Sequence, residues 1–209
     1  RTMRQFDCIL VTHDEERRRA LELDPRARVE TLPFILMDCE QFEPAPHIPR
    51  DPTMIFVGFL PHTPNEEGLR WFLENVYPRV KNEEPAARLV VVGAGASTAM
   101  LGLMHDCGVE YHGFVEDLRA EYARSRVYIA PIMTGGGIRT KILEAMAAGV
   151  PVVSSTFAPL GIGITPGAHL LAADDPGEHA QCVLRLLRDD AAWWRIRRRA
   201  RRFVEENYS

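Results

Sequence analysis

PIMTGGGIRTKILEAMAAGVPVV, residues 131–153, predicts the end of a strand, a loop of three glycines, a helix and a second strand. Glycines carry no Cβ, so three in succession allow a ligand to approach the backbone closely. A helix that begins directly after such a loop points free N–H groups and the positive end of its dipole at the ligand. The stretch therefore predicts an anion site, most often one for phosphate, at which Arg139 and Lys141 add positive charge.

The composition is that of an ordinary soluble globular protein, with 46% hydrophobic and 26% charged residues in a chain of 209. A net charge of −4 gives no bulk attraction to nucleic acid, so no nucleic-acid partner is expected. The four cysteines form no CxxC pair, which favours a reducing compartment. With neither a secretory signal nor an apolar run of membrane-spanning length, we expect a cytoplasmic protein. Because the chain begins with Arg1 almost directly before a strand-like run, we also expect it to be a fragment of a longer polypeptide.

The N-terminal part predicts a short buried strand at residues 6–11, a charged helix at 14–23 and a second strand at 29–36. A proline-rich linker follows at residues 43–52. We therefore place a domain boundary there, with residues 1–45 in one unit and residues 50–209 in the other.

From Met54 onward the pattern alternates regularly between apolar strands and helices. Predicted strands lie at 54–59, 88–92, 109–112, 127–130, 151–154 and 170–172, and predicted helices at 65–81, 97–106, 117–124 and 139–148. This alternation indicates an α/β fold, a parallel sheet covered by helices on both faces. Ligands bind such sheets at the carboxyl ends of the strands, where the loops 58–65, 113–117 and 134–137 all begin.

Two helices are predicted to close the chain, at residues 176–188 and 191–207. The last has an apolar stripe that includes Trp193 and Val204, and six arginines between Arg195 and Arg202. We favour an amphipathic helix that packs its stripe on the body and leaves its arginines in solvent. The alternative is a peripheral contact of the arginines with an anionic membrane surface.

The segment GGGIRTKILEAMAAGVPVV, residues 135–153, resembles the donor-binding signature of glycosyltransferase family 4. These are retaining enzymes with two facing Rossmann-like domains, the GT-B fold. Three further stretches agree in order: FVGFLPHTPNEEGLRWFLENVYP, LVVVGAG and YHGFVEDLRAEYARSRVYIAPI. The resemblance covers about residues 50–209 and implies a C-terminal, Rossmann-like donor-binding domain. Residues 1–45 would then be the last strand and helix of the N-terminal domain, together with the interdomain connection.

The resemblance also implies roles for individual residues. Glu144 is expected to accept hydrogen bonds from the ribose hydroxyls, and Phe114 and Val115 to lie along the base. Main-chain amides from Ile138 to Thr140 would meet the diphosphate and the donor sugar. The full set of predicted binding residues is Gly58, Phe114, Val115, Gly135, Gly136, Gly137, Ile138, Thr140 and Glu144.

The same resemblance assigns the catalytic charge stabilisation. A departing nucleoside diphosphate needs preorganised donors for its growing negative charge. The chain has no Asp-x-Asp metal motif, so we expect neither a metal ion nor a cofactor. Arg139 and Lys141 are the candidates that would replace the metal, with a purely structural role as the alternative.

The chain departs from the family pattern at three places. Gly136 stands where a glutamate usually contacts the donor sugar, and Phe59 where an arginine usually grips the diphosphate. Asn65-Glu66-Glu67 lies near the place of a usual lysine; for Asn65 we favour capping of the following helix over a bond to phosphate. His62, in the same loop, is a weaker candidate for a contact with the donor.

The sequence as a whole predicts the donor-binding half of a retaining glycosyltransferase. It would transfer a sugar from a UDP- or GDP-linked donor to a hydroxyl acceptor on a saccharide or lipid, as in polysaccharide biosynthesis. The acceptor would bind the N-terminal domain, so this chain is expected to bind nucleotide without transferring sugar. The alternatives are a sugar-nucleotide epimerase of the same fold and a non-catalytic nucleotide-binding or interaction module.

Overall fold

The computed structural model describes residues 5–12, 14–32 and 38–209, which form eight strands and eight α-helices. The strands are β1 (Ile9–Val11), β2 (Val29–Thr31), β3 (Thr53–Val57), β4 (Arg88–Val92), β5 (Glu110–Gly113), β6 (Val127–Ala130), β7 (Val152–Ser154) and β8 (Leu171–Ala172). The helices are α1 (Asp14–Leu23), α2 (Thr63–Trp71), α3 (Tyr77–Glu83), α4 (Thr98–Asp106), α5 (Arg119–Arg124), α6 (Thr140–Ala147), α7 (Pro176–Arg188) and α8 (Asp190–Tyr208). A π-helical turn, Phe72–Val76, joins α2 to α3, so the single helix predicted at 65–81 is longer at both ends.

Strands β3 to β8 form one six-stranded sheet in the order β5-β4-β3-β6-β7-β8, and all neighbouring strands are parallel. Every residue of β3, β6 and β7 is buried, because helices cover both faces of the sheet. The predicted α/β fold with a Rossmann-like parallel sheet is confirmed. From β3 the sheet grows in one direction through β4 and β5, and in the other direction through β6, β7 and β8. The strand order therefore reverses between β3 and β6.

The N-terminal segment forms a separate pair of parallel strands, β1 and β2, linked by α1. The predicted helix at 14–23 has the observed bounds. The first strand begins only at Ile9, after the exposed residues 6 and 7, and the prediction that it is buried is wrong, since Leu10 is exposed. The second strand ends at Thr31, and the rest of the predicted strand, residues 33–36, lies outside the described residues. The division into units 1–45 and 50–209 stays a prediction.

The closing helix α8 buries the predicted apolar stripe but does not leave all its arginines in solvent. Arg197 is buried and donates to the carbonyl oxygen of Ala45. Arg201 donates to the carbonyl oxygens of Phe42 and Cys39. The prediction of a fully solvated arginine face is therefore wrong for Arg197 and Arg201. The segment that precedes β3 lies under α8, and its backbone carbonyl groups need hydrogen-bond donors there.

His179 on α7 is fully buried, and we expect it to make the stability of the chain sensitive to acid. Its Nδ1 is 2.8 Å from the carbonyl oxygen of Ala173, and its ring meets those of Trp71 and Phe72 edge-on. Burial lowers the pKa of His179 from its ordinary value of 6.5, since the charged imidazolium is poorly solvated there.

As the pH falls through about 6.5, the unfolded chain binds a proton that the folded chain resists, so the free energy of unfolding decreases. A His179→Gln variant is expected to be less stable than the parent chain at pH 7.5. Its melting temperature should fall by less than that of the parent chain between pH 7.5 and pH 5.5. The exposed His105→Gln variant is the matched control and should keep the parent slope. A His179→Gln variant with the parent slope would contradict this assignment of the acid sensitivity.

Candidate functional site

A cavity of about 270 Å³ opens at the carboxyl end of the sheet, between the loops that follow β3 and β6. Its floor consists of residues from both strands, including Val57 and Ala130. The glycine loop and the start of α6 form one wall, and the segment from Gly58 to Asn65 forms the other. The cavity therefore lies at the point where the strand order reverses, which is the usual ligand site of open α/β sheets.

The glycine loop is open on the side where a ligand would approach. Gly135 and Gly137 have φ angles of 108° and 73°, which favour glycine. A Cβ built on Gly136 or Gly137 would meet no heavy atom within 4 Å, whereas one on Gly135 would lie 3.2 Å from Pro64. Gly136 lines the first cavity together with Ile138 and Thr140.

Arg139 braces this loop. Its guanidinium donates to the carbonyl oxygens of Gly137 at 2.7 Å and Thr134 at 3.0 Å, and it lies over the ring of Phe157 at 4.7 Å. Burial lowers the pKa of Arg139, but arginine remains charged in proteins. The side chain lines the cavity while it holds the loop, so the structural role that was the alternative for Arg139 is present in the fold.

Lys141 and Glu144 form an ion pair on the first turns of α6. The Lys141 Nζ lies 2.9 Å and 2.7 Å from the two carboxylate oxygens, and the hydroxyl of Tyr122 lies 3.5 Å from Oε2. Burial and the Glu144 carboxylate raise the pKa of Tyr122, so its hydroxyl stays protonated. Only 19% of the Glu144 side chain is exposed, and any ribose contact has to share the carboxylate with Lys141.

Two further cavities meet the first one at Lys141. One has a volume of about 560 Å³ and is lined by Lys141, Glu144 and residues 116–119. The other, of about 240 Å³, is lined by Lys141, Gly58, Phe114 and Val115. Phe114 is 78% exposed and presents an apolar face at the rim of that cavity. The fold thus brings the residues predicted for ribose, base and diphosphate to adjoining spaces around one lysine.

A carboxylate that the sequence analysis missed lies on the glycine loop. The amide of Gly137 donates to Oε1 of Glu16 on α1 at 3.3 Å. Glu16 is 121 residues away along the chain, so no local pattern signals the contact. An acidic group of the protein therefore already lies against an amide of the predicted anion site.

Asn65 and the Thr140 amide both find partners within their own loops. Asn65 does not cap the helix: α2 begins at Thr63 after His62, and the Asn65 amide instead donates to the carbonyl oxygen of Phe59 at 2.8 Å, closing the loop. Pro64 accounts for the earlier start, since proline favours the first turn of a helix. The amide of Thr140 donates to the carbonyl oxygen of Ile138 at 3.1 Å, which engages one of the donors predicted for the diphosphate.

Within residues 5–12, 14–32 and 38–209, no three His, Cys, Asp or Glu side chains are grouped so as to bind a metal ion. None of the helices there combines the length and the apolar character needed to span a membrane.

The fold and the site define a Rossmann-like α/β domain with a cavity beside a glycine loop at its strand switch point. A family model, Glycosyl transferases group 1, matches residues 51–189, and the chain belongs to this family. It is 29% identical over 164 residues to an uncharacterized 44.6 kDa protein in the cps region of Klebsiella pneumoniae, covering 74% of this chain and 42% of that protein. It is 31% identical over 160 residues to a GDP-mannose-dependent alpha-(1-6)-phosphatidylinositol monomannoside mannosyltransferase of Mycobacterium tuberculosis, covering 66% and 40%.

Solved glycosyltransferase structures share the fold. TarM of S. aureus, solved in complex with UDP among other ligands, superimposes with a TM-score of 0.82 at 16% identity, covering 99% of this chain and 42% of that one. The pneumococcal O-GlcNAc transferase GtfA, in complex with UDP and GlcNAc, gives a TM-score of 0.77 at 16% identity over 97% and 42% of the two chains. The chain spans about two fifths of the length of these relatives. The predicted membership of a glycosyltransferase family is confirmed; family 4 and retention of configuration stay predictions.

Proposed function

We propose that the chain is the nucleotide-sugar-binding half of a retaining glycosyltransferase of family 4. It would bind a UDP- or GDP-linked sugar and position it for transfer to a hydroxyl of a saccharide or lipid. The observation that carries the proposal is the open glycine loop at the β3–β6 switch point, against which a carboxylate already lies at the Gly137 amide. The Mycobacterium relative uses GDP-mannose and the S. aureus and pneumococcal structures contain UDP, which supports such donors.

The chemistry of the proposed step asks for stabilisation of the departing diphosphate. The start of α6 and Lys141 line the cavity, and main-chain N–H groups there together with the Lys141 ammonium would carry that stabilisation without a divalent cation. Glu144 would hold the ribose, and Phe114 and Val115 would lie along the base. The acceptor would bind a preceding N-terminal domain in the cytoplasm, so the 209-residue chain alone would bind the donor without turnover.

Calorimetry with UDP, GDP, ADP and NAD tests the proposal, in EDTA to remove divalent cations. We expect saturable binding of UDP or GDP by the 209-residue chain, with weaker or no binding of ADP and NAD. Binding of NAD alone would contradict the proposal and favour a dinucleotide site. Absence of binding to all four would contradict it too, and would favour an interaction module.

A further inference from the structure

Glu16 presents an oriented negative charge to the glycine loop. Its Oε1 accepts a hydrogen bond from the Gly137 amide at 3.3 Å. Its Oε2 accepts from the amide of Thr12 at 3.1 Å and from the Thr12 hydroxyl at 2.8 Å. The Thr12 contacts turn the carboxylate toward the loop, and its charge also acts on the Arg139 guanidinium.

A fixed carboxylate at this place acts differently on a nucleotide sugar and on the nucleoside diphosphate that remains after transfer. A nucleotide sugar carries about two negative charges, whereas the free diphosphate gains a further ionisation on its terminal phosphate, with a pKa of about 6 for phosphate monoesters. The extra charge develops on the phosphate that the sugar has left. Coulomb repulsion by a nearby carboxylate is therefore larger for the product than for the donor.

We propose that Glu16 is a specificity-determining residue that disfavours the nucleoside diphosphate product relative to the nucleotide-sugar donor. The inference rests on the proposed function, since it assumes that both molecules place their phosphates at the glycine loop. The carboxylate on α1 would then favour product release, because it lowers the affinity of the site for the nucleoside diphosphate more than the affinity for the nucleotide sugar.

The test compares Glu16→Gln with the unchanged chain by calorimetry, using UDP, UDP-glucose, GDP and GDP-mannose in EDTA at low salt. Glutamine removes the negative charge and keeps one oxygen for the Gly137 amide; it also loses the acceptor for the Thr12 amide, a change that is the same whichever nucleotide is bound. We expect the affinity for the free diphosphate of the preferred base to rise about fivefold, and that for its sugar conjugate to rise less than half as much. Glu22→Gln removes the same charge from an exposed position of the same helix and should alter neither affinity.

A second variant, Thr12→Val, removes the hydroxyl that orients Glu16 while the carboxylate remains. It is expected to shift the ratio of the two affinities in the same direction as Glu16→Gln, but by a smaller factor. Circular dichroism and melting temperature confirm that each variant is folded.

Equal changes for donor and product, or no change in either, would overturn the inference while leaving the proposed function intact. A loss of affinity for the sugar conjugate alone would overturn it as well, because the carboxylate would then bind the sugar. If the unchanged chain binds none of the four molecules, the proposed function itself is contradicted and the inference falls with it.

Discussion

A Gly93→Ala variant is expected to melt about 6–12 °C below the parent chain, which corresponds to a loss of about 3 kcal/mol for a domain of this size. Gly93 directly follows β4 with a φ of 145°, and a Cβ built there would lie 1.7 Å from the carbonyl oxygen of Gly58. Neither backbone yields easily, because the Gly93 amide donates to Gly113 and its carbonyl accepts from the Tyr111 hydroxyl. The substitution has to push apart the loops that follow β3 and β4.

The matched control is Gly102→Ala in α4, where an added Cβ would meet nothing within 4 Å. Alanine favours a helix interior over glycine by about 0.5–1 kcal/mol, so this variant should melt at or above the parent temperature. Differential scanning fluorimetry or calorimetry measures both. A Gly93→Ala chain as stable as Gly102→Ala would show that the close approach of Gly93 to Gly58 is not a constraint on the fold.

Replacing both Arg139 and Lys141 with alanine is expected to weaken binding of the preferred nucleoside diphosphate at least tenfold, or about 1.4 kcal/mol. Two effects add. Without Arg139 the carbonyls of Thr134 and Gly137 lose their shared donor and the loop loses its brace. Without Lys141 the site loses its ammonium, and the Glu144 carboxylate is left unpaired beside the incoming phosphates.

Further variants separate the two effects by calorimetry. Arg139→Lys keeps the charge but cannot donate to both carbonyl oxygens at once. A loss of nucleotide affinity in this variant therefore measures the contribution of these two hydrogen bonds. Lys141→Ala combined with Glu144→Gln removes both charges of the pair; compared with Glu144→Gln alone, it reports the ammonium, because the change at the proposed ribose contact is common to both variants. Arg198→Ala with Arg202→Ala, on the exposed side of α8, removes as much positive charge away from the three cavities and should leave the affinity unchanged. An unchanged affinity in the Arg139 and Lys141 double variant would refute their assignment to the diphosphate.

The main sheet could be predicted because its strands are short apolar runs separated by helices. The bounds predicted for β4, β6 and α7 are those observed. Bounds failed where the chemistry of the helix end rather than hydrophobicity sets the first residue. With Pro64 in its first turn, α2 starts at Thr63, two residues before the predicted Asn65, and Asp117 accepts from the Arg119 amide so that α5 begins after it.

The site could be predicted only in part, since residue types locate a loop but do not say which partners the fold supplies. The pairing of Lys141 with Glu144 was open to prediction, because residues three apart on a helix lie side by side. The contact of Glu16 with Gly137 was not, because it depends on how α1 lies against the glycine loop. The same holds for Arg197 and Arg201, whose carbonyl partners belong to a distant, irregular segment.

The central claim is that pyrophosphate oxygens bind the peptide amides at the glycine loop. A ¹⁵N-edited NMR titration of the 209-residue chain with UDP or GDP tests it most directly. The account predicts that the amides of Gly136 and Ile138 show the largest, saturable shifts and that of Gly137, which donates to Glu16, a smaller one, while those of Asp51 and Arg88, at the opposite end of the sheet, stay in place. Saturating nucleotide that leaves the three loop amides unmoved, or shifts the opposite end instead, would contradict it.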